Sequence, residues 1–189
     1  MNRPIFLIGY MGSGKTTLGA ALAHELQVPF IDLDERIEQH CGCTIAQIFT
    51  QYGESYFREL ETQQLKQLMS CAAVVACGGG TPCHSDNMAC MNDSGITVWL
   101  TTSPQRLTMR LALEDEQRKR PRLSGLDYNS LLNMVISESA QREPYYSQAQ
   151  MHFDATDIET AQATAATAHH LAELLRPAMR QPTSRVFTD

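Results

Sequence analysis

Apolar residues fall into short blocks separated by stretches in which they recur every three or four positions. The block at 4–8 runs straight into Gly9 and reads as a buried strand. Similar strand-sized blocks follow at 29–33, 72–77, 96–100 and 150–153. Between them, Leu18, Leu22 and Leu26 repeat at four-residue spacing and mark one face of a helix over 15–26. Residues 34–39, 45–51 and 54–69 read as further helices, punctuated by Gly42 and Gly53. A short helix is expected over 85–91. Ser103 followed by Pro104 places an N-cap and a first helical position, opening a helix to about 113. Residues 128–143 and 158–175 complete the helices, and 176–189, with Pro177 and Pro182, is expected to be a flexible tail. Strands alternating with helices predict an α/β fold with a five-stranded parallel sheet flanked by helices. In such sheets ligands sit beyond the carboxyl ends of the strands, so the segments that leave the strands are the places to look for chemistry.

Composition narrows the classes. The chain has 189 residues, 43% hydrophobic and 19% charged, which suits one globular domain. A formal charge of −6 argues against a general binder of nucleic acid or of membrane surfaces, since affinity for polyanions comes from excess Lys and Arg. No apolar run is long enough to span a bilayer, and the first one leads into Gly12-Ser13-Gly14-Lys15 instead of a cleavage site. A cytoplasmic enzyme, monomeric, is the expectation. Six cysteines form no C-x-x-C pair and no zinc pattern, so all are expected as reduced thiols. Cys77 and Cys83, flanking a glycine run, are candidates for reactivity.

Gly9-Tyr10-Met11-Gly12-Ser13-Gly14-Lys15-Thr16 fits G-x-x-x-x-G-K-[ST], with a strand before it and an amphipathic helix after it. Its glycines allow the backbone to curl so that N–H groups point at phosphate oxygens. The helix N-terminus adds partial positive charge. Gly12, Ser13, Gly14, Lys15, Thr16 and Thr17 are therefore candidate ATP contacts, with Lys15 reaching the β- and γ-phosphates and the Thr16 hydroxyl on Mg²⁺.

Magnesium needs a carboxylate nearby. The 72–77 strand ends in glycines, so the nearest acids are Asp32 and Asp34, alternating with Leu33 at the end of the second strand. Asp34 is placed to orient an acceptor hydroxyl and take its proton, and Asp32 to be the magnesium or magnesium-water partner. The plainer reading of Asp34 is an N-cap for the next helix. Residues 114–125 carry Arg118, Lys119, Arg120 and Arg122 around Pro121. This is either a solvated charged loop or a lid that closes over ATP and brings an Arg to the developing charge. A regulatory GTPase is disfavoured, because none of the three lysines Lys15, Lys66 and Lys119 follows an Asn in a guanine-reading N-K-x-D.

Taken in order, the phosphate loop, Asp32-Leu33-Asp34, Gly53-Glu54 with Phe57-Arg58 and Glu61, Gly78-Gly79-Gly80, Arg120-Pro121, and Arg142 with Tyr146 resemble shikimate kinase. That family belongs to the nucleoside-monophosphate-kinase-like group. The resemblance runs from Ile5 to about Ala172. It implies a single three-layer P-loop kinase domain over 1–175, with a substrate-binding region at about 34–61 and a lid at about 114–125. It also implies ATP-dependent phosphorylation of the 3-hydroxyl of shikimate in aromatic amino-acid biosynthesis. By motif match, Asp34 would contact the reacting hydroxyl, Arg58 and Arg142 the carboxylate, and Gly79 and Gly80 would offer backbone contacts. Lys15 and Arg120 would stabilise the transferring group, and Arg110 would lie along adenine. An Arg fork suits a carboxylate, and Ile45, Phe49 and Phe57 are candidates for the apolar wall. Two departures stand out: Arg122 follows the lid Arg-Pro where the family has an apolar residue, and Cys77 precedes the triple glycine. A gluconate kinase, another small-molecule P-loop kinase and a non-catalytic nucleotide-binding module remain alternatives.

Overall fold

The computed structural model describes residues 3–113, 121–123 and 125–180. Five strands, β1 (Ile5–Ile8), β2 (Phe30–Asp32), β3 (Val74–Ala76), β4 (Ile96–Thr101) and β5 (Met151–Asp154), form one sheet. Its order is β2-β3-β1-β4-β5, and every pairing is parallel. All four residues of β1 are fully buried, which is why that segment is an unbroken apolar run and not an alternating one.

The two faces of the sheet bury different sets of side chains. Ile5 and Leu7 of β1 face Leu18 and Leu22 of α1 (Lys15–Leu26) and Leu171 and Leu175 of α7 (Ala161–Arg180). Phe6 and Ile8 face the other way. They pack with Leu33 and Ile37 of α2 (Leu33–Cys41), Phe57 and Leu65 of α3 (Ile45–Leu68), and Met88 and Met91 of α4 (Asn87–Ser94). A third, smaller cluster joins Tyr10 to Leu107 and Leu111 of α5 (Pro104–Leu111) and to Leu131 and Val135 of α6 (Tyr128–Tyr146). That cluster fastens α6 beside the phosphate loop, at the carboxyl edge of the sheet.

Local chemistry sets the element ends. Ser103 caps α5 by accepting from the Arg106 N–H, with Pro104 at the first position as expected. Thr44 and Gln47 form a reciprocal capping box at the start of α3. At Gly53 the α3 backbone turns non-helical, with φ 80° and ψ 173°, so the two helices expected on either side of it are joined through a kink. Two expectations need correcting. The cap of α2 is Asp32 and not Asp34, because β2 ends at Asp32 and the Asp32 carboxylate accepts the Asp34 N–H at 3.0 Å. The closing helix runs to Arg180, past the expected end at 175. Pro177 removes one N–H from its ladder. Ala178 and Met179 nevertheless pack on the core, and Arg3 donates to the Ala178 carbonyl at 2.8 Å. Most of the 114–125 segment, with Arg118, Lys119 and Arg120, and the tail from 181 lie outside the described residues.

Candidate active site

The strand-ending segments converge. The loop after β1 has left-handed glycines at Gly12 (φ 79°) and Gly14 (φ 94°), conformations that a side chain resists. A Cβ on Gly14 would also come within 2.0 Å of the Ile158 side chain. Gly14 caps α1 with no side-chain hydrogen bond, which leaves the first-turn N–H groups open to an anion. The Ser13 hydroxyl is buried and unpaired among the described residues, a further donor within the loop. Lys15 Nζ donates to the Gly9 and Tyr10 carbonyls at 2.8 and 2.9 Å, folded over the loop it serves. Arg110 braces the loop's other side. It donates to the Gly12 carbonyl at 3.1 Å and to the Ala155 and Thr156 carbonyls after β5, and it pairs with Glu159. Thr17 lies exposed in the first turn of α1.

Thr16 and Asp32 are joined directly, the Thr16 hydroxyl donating to Asp32 Oδ2 at 2.8 Å. An adjacent hydroxyl and carboxylate are hard oxygen donors of the kind magnesium takes, with phosphates and waters completing its shell. The residues therefore fit the ion. No cluster of three His, Cys, Asp or Glu exists among the described residues to form an all-protein cage.

Beside the phosphate loop lies a cavity of about 270 Å³. Ile45, Phe49 and Phe57 supply its apolar wall, and Asp34, Arg58, Arg142 and the three glycines supply its polar groups. Each glycine is pressed against one of these side chains. A Cβ at Gly78 would lie 2.8 Å from Glu61 Oε1 and 3.0 Å from Asp34 Oδ1. At Gly79 it would lie 3.0 Å from Arg142 Nη1, and at Gly80 2.8 Å from both Arg58 Nη atoms. The run after β3 is thus more than a turn, because a side chain there would have to displace the charged groups that line the cavity. The Tyr146 hydroxyl donates to the Gly79 carbonyl and pins the run to α6.

Arg58 is held by Glu61 at 3.0 Å and Glu54 at 3.2 Å. Glu61 is fully buried and also accepts from the Thr81 hydroxyl. Burial raises the Asp34 carboxyl to about 6, and the neighbouring Asp32 and Glu61 charges push the same way against the pull of Lys15. Asp34 is thereby poised near neutrality, where a general base is effective. All six cysteines are free thiols. Reactivity at Cys77 or Cys83 is not supported, because burial pushes both thiols up and holds them protonated.

Two groups escaped the sequence reading. Tyr10 lies inside the phosphate loop at a variable position of the motif, and Glu138 lies one helical turn before Arg142. Their only sequence signal is that i,i+4 spacing of Glu138 to Arg142, which many surface helices share.

Comparison with known proteins gives a consistent picture. The sequence model of the shikimate kinase family matches residues 11–173. A shikimate kinase of Bacteroides thetaiotaomicron is 44% identical over 172 residues, 90% of this chain and 97% of its own. The crystal structure of shikimate kinase from that organism superposes with a TM-score of 0.87 at 43% identity, covering 92% of this chain and 98% of that one. The shikimate kinase of Acinetobacter baumannii in complex with shikimate superposes with a TM-score of 0.77 at 33% identity, over 96% and 97% of the two chains.

Proposed function

The chain belongs to the shikimate kinase family, and we propose that it uses the site at the carboxyl edge of its sheet to phosphorylate the 3-hydroxyl of shikimate with ATP. The products are shikimate 3-phosphate and ADP, a step of aromatic amino-acid biosynthesis. The observation that carries this reading is one cavity. It brings Arg58 and Arg142, a carboxyl raised to about 6 and the triple-glycine edge together beside a phosphate loop. A small acid with ring hydroxyls meets each of these in turn.

In this reading Arg58 and Arg142 hold the acceptor carboxylate, and the Gly79 and Gly80 backbone closes on the ring. Asp34 accepts the hydroxyl proton as the acceptor oxygen bonds to the γ-phosphorus. The bond from that phosphorus to the β–γ bridging oxygen breaks, and ADP leaves with the bond's electron pair. Lys15 moves from the Gly9 and Tyr10 carbonyls to the β- and γ-oxygens, with Arg120 as its partner on the transferring group. The loop amides from Gly12 to Thr17 hold the phosphates, and Arg110 borders the adenine side. Thr16, and Asp32 directly or through a water, would hold magnesium, which would neutralise charge on the phosphates. Residues 114–125 act as the lid. The enzyme works as a cytoplasmic monomer, without nucleic-acid or membrane partners. Among the described residues no helix is long and apolar enough to cross a membrane.

Family membership favours shikimate over gluconate as the acceptor. ADP release from Mg-ATP, measured with shikimate, gluconate and AMP in parallel, tests the choice. Rapid turnover with shikimate alone is expected. Turnover with gluconate or AMP instead would reject the carboxylate roles of Arg58 and Arg142. ATP binding without turnover on any acceptor would leave a nucleotide-binding module.

A further inference from the structure

Glu138 stands outside every role assigned above, yet its two oxygens serve three groups from separate parts of the chain. Oε2 accepts from Arg142 Nη2 at 3.0 Å and from the Tyr10 hydroxyl at 2.9 Å. Oε1 accepts from Arg122 Nη2. Tyr10 belongs to the phosphate loop, Arg122 to the 121–123 turn, and Arg142 to α6. Arg122 and Arg142 both line the acceptor cavity. The Arg142 guanidinium also lies over the Tyr10 ring, 5.0 Å from its centroid. Burial and the Glu138 charge push the Tyr10 phenol up, so it remains a donor to that carboxylate.

We propose that Glu138 is a positioning residue of the acceptor clamp. It fixes the direction of the Arg142 fork and seats Arg122 as a third guanidinium at the cavity. The proposal rests on the shikimate reading above. A long Arg side chain gains directional force on a carboxylate only when its fork is held beforehand, and a carboxylate one turn earlier on the same helix does this. A single Glu on a single Arg would cancel the charge that attracts the acceptor. Here the second oxygen carries Arg122, so the group of two guanidiniums and one carboxylate stays net positive. This gives a physical role to Arg122, the charged residue that departs from the family's apolar pattern after Arg-Pro. The hydrogen bond from Tyr10 ties the same carboxylate to the loop that holds ATP.

Steady-state kinetics on Glu138→Gln, Arg142→Ala and the double variant test this, with Tyr10→Phe as a milder perturbation. Glu138→Gln keeps the shape and removes the charge. It is expected to raise the shikimate KM about tenfold, while kcat and the ATP KM stay within about twofold. In the Arg142→Ala background it is expected to add almost nothing, because its effect runs through that arginine. Tyr10→Phe is expected to raise the shikimate KM by less. An unchanged shikimate KM in Glu138→Gln would overturn the proposal. So would a full independent effect in the double variant, or an ATP KM raised as much as that for shikimate. Absence of shikimate turnover in the wild type would instead reject the functional reading itself.

Discussion

Asp34 shows how a residue's surroundings set its chemistry. Burial takes its carboxyl out of water, and the neighbouring Asp32 and Glu61 charges push the same way, so it is raised to about 6. For the ligand-free enzyme, kcat/KM is expected to climb with pH through a limb near 6 as Asp34 loses its proton. The linked stability runs in the opposite sense. A carboxyl raised above its ordinary value binds its proton more tightly when folded. Its contribution to stability is present at low pH and is lost as pH rises through about 6. Asp34→Asn should therefore abolish transfer while ATP still binds, and its thermal midpoint relative to wild type should be higher at pH 8 than at pH 5. Wild-type turnover in that variant, read by ADP release, would remove Asp34 from the chemistry. The acid pair itself was legible in the sequence, but the capping role was not. A carboxylate ending a strand and one opening a helix look alike until the strand's last residue is known, and β2 stops at Asp32. Glu138 and Tyr10 were illegible for a related reason: their meaning comes from contact across 128 positions of sequence.

Among the elements, the phosphate loop was the most legible, because its glycines, lysine and threonine each answer a local demand of phosphate binding. The break at Gly53 was legible too, as the boundary between two helices, since a glycine divides the two apolar periodicities. What the pattern did not carry was the result of that kink. Gly53 sits at φ 80° and ψ 173°, in a region that only glycine occupies readily, and it re-aims the half of α3 bearing Phe57 and Arg58. No neighbour among the described residues would obstruct a Cβ there, so the strain is conformational. Gly53→Ala is expected to destabilise the fold by about 1–3 kcal/mol in denaturant unfolding and to raise the acceptor KM more than the ATP KM. A variant as stable as wild type would show that the kink is not held by this backbone. Strand and helix ends shifted by one to a few residues from the expected ranges, and α7 outlasted its proline because its last apolar residues reach the core. Tertiary packing decides such ends, and local propensity does not.

At the scale of the whole molecule, the alternation of strand and helix was enough to give a parallel α/β sheet. The order β2-β3-β1-β4-β5 was not readable from periodicity, because every strand is short and none marks its neighbour. That order sets β1 between β3 and β4. It places the phosphate loop between the triple-glycine run and the helices that carry Arg110 and Arg142. The nucleotide and acceptor sites thus share one edge. The family resemblance supplied roles that composition and spacing alone left open, and the cavity gathers most of those residues around one small space. The most direct measurement is phosphorus NMR of the products formed by the wild-type protein from Mg-ATP and shikimate. A phosphate monoester on the 3-oxygen of shikimate, formed in step with ADP, is the predicted result. ADP with free phosphate and no ester, or an ester at another position, would contradict the account.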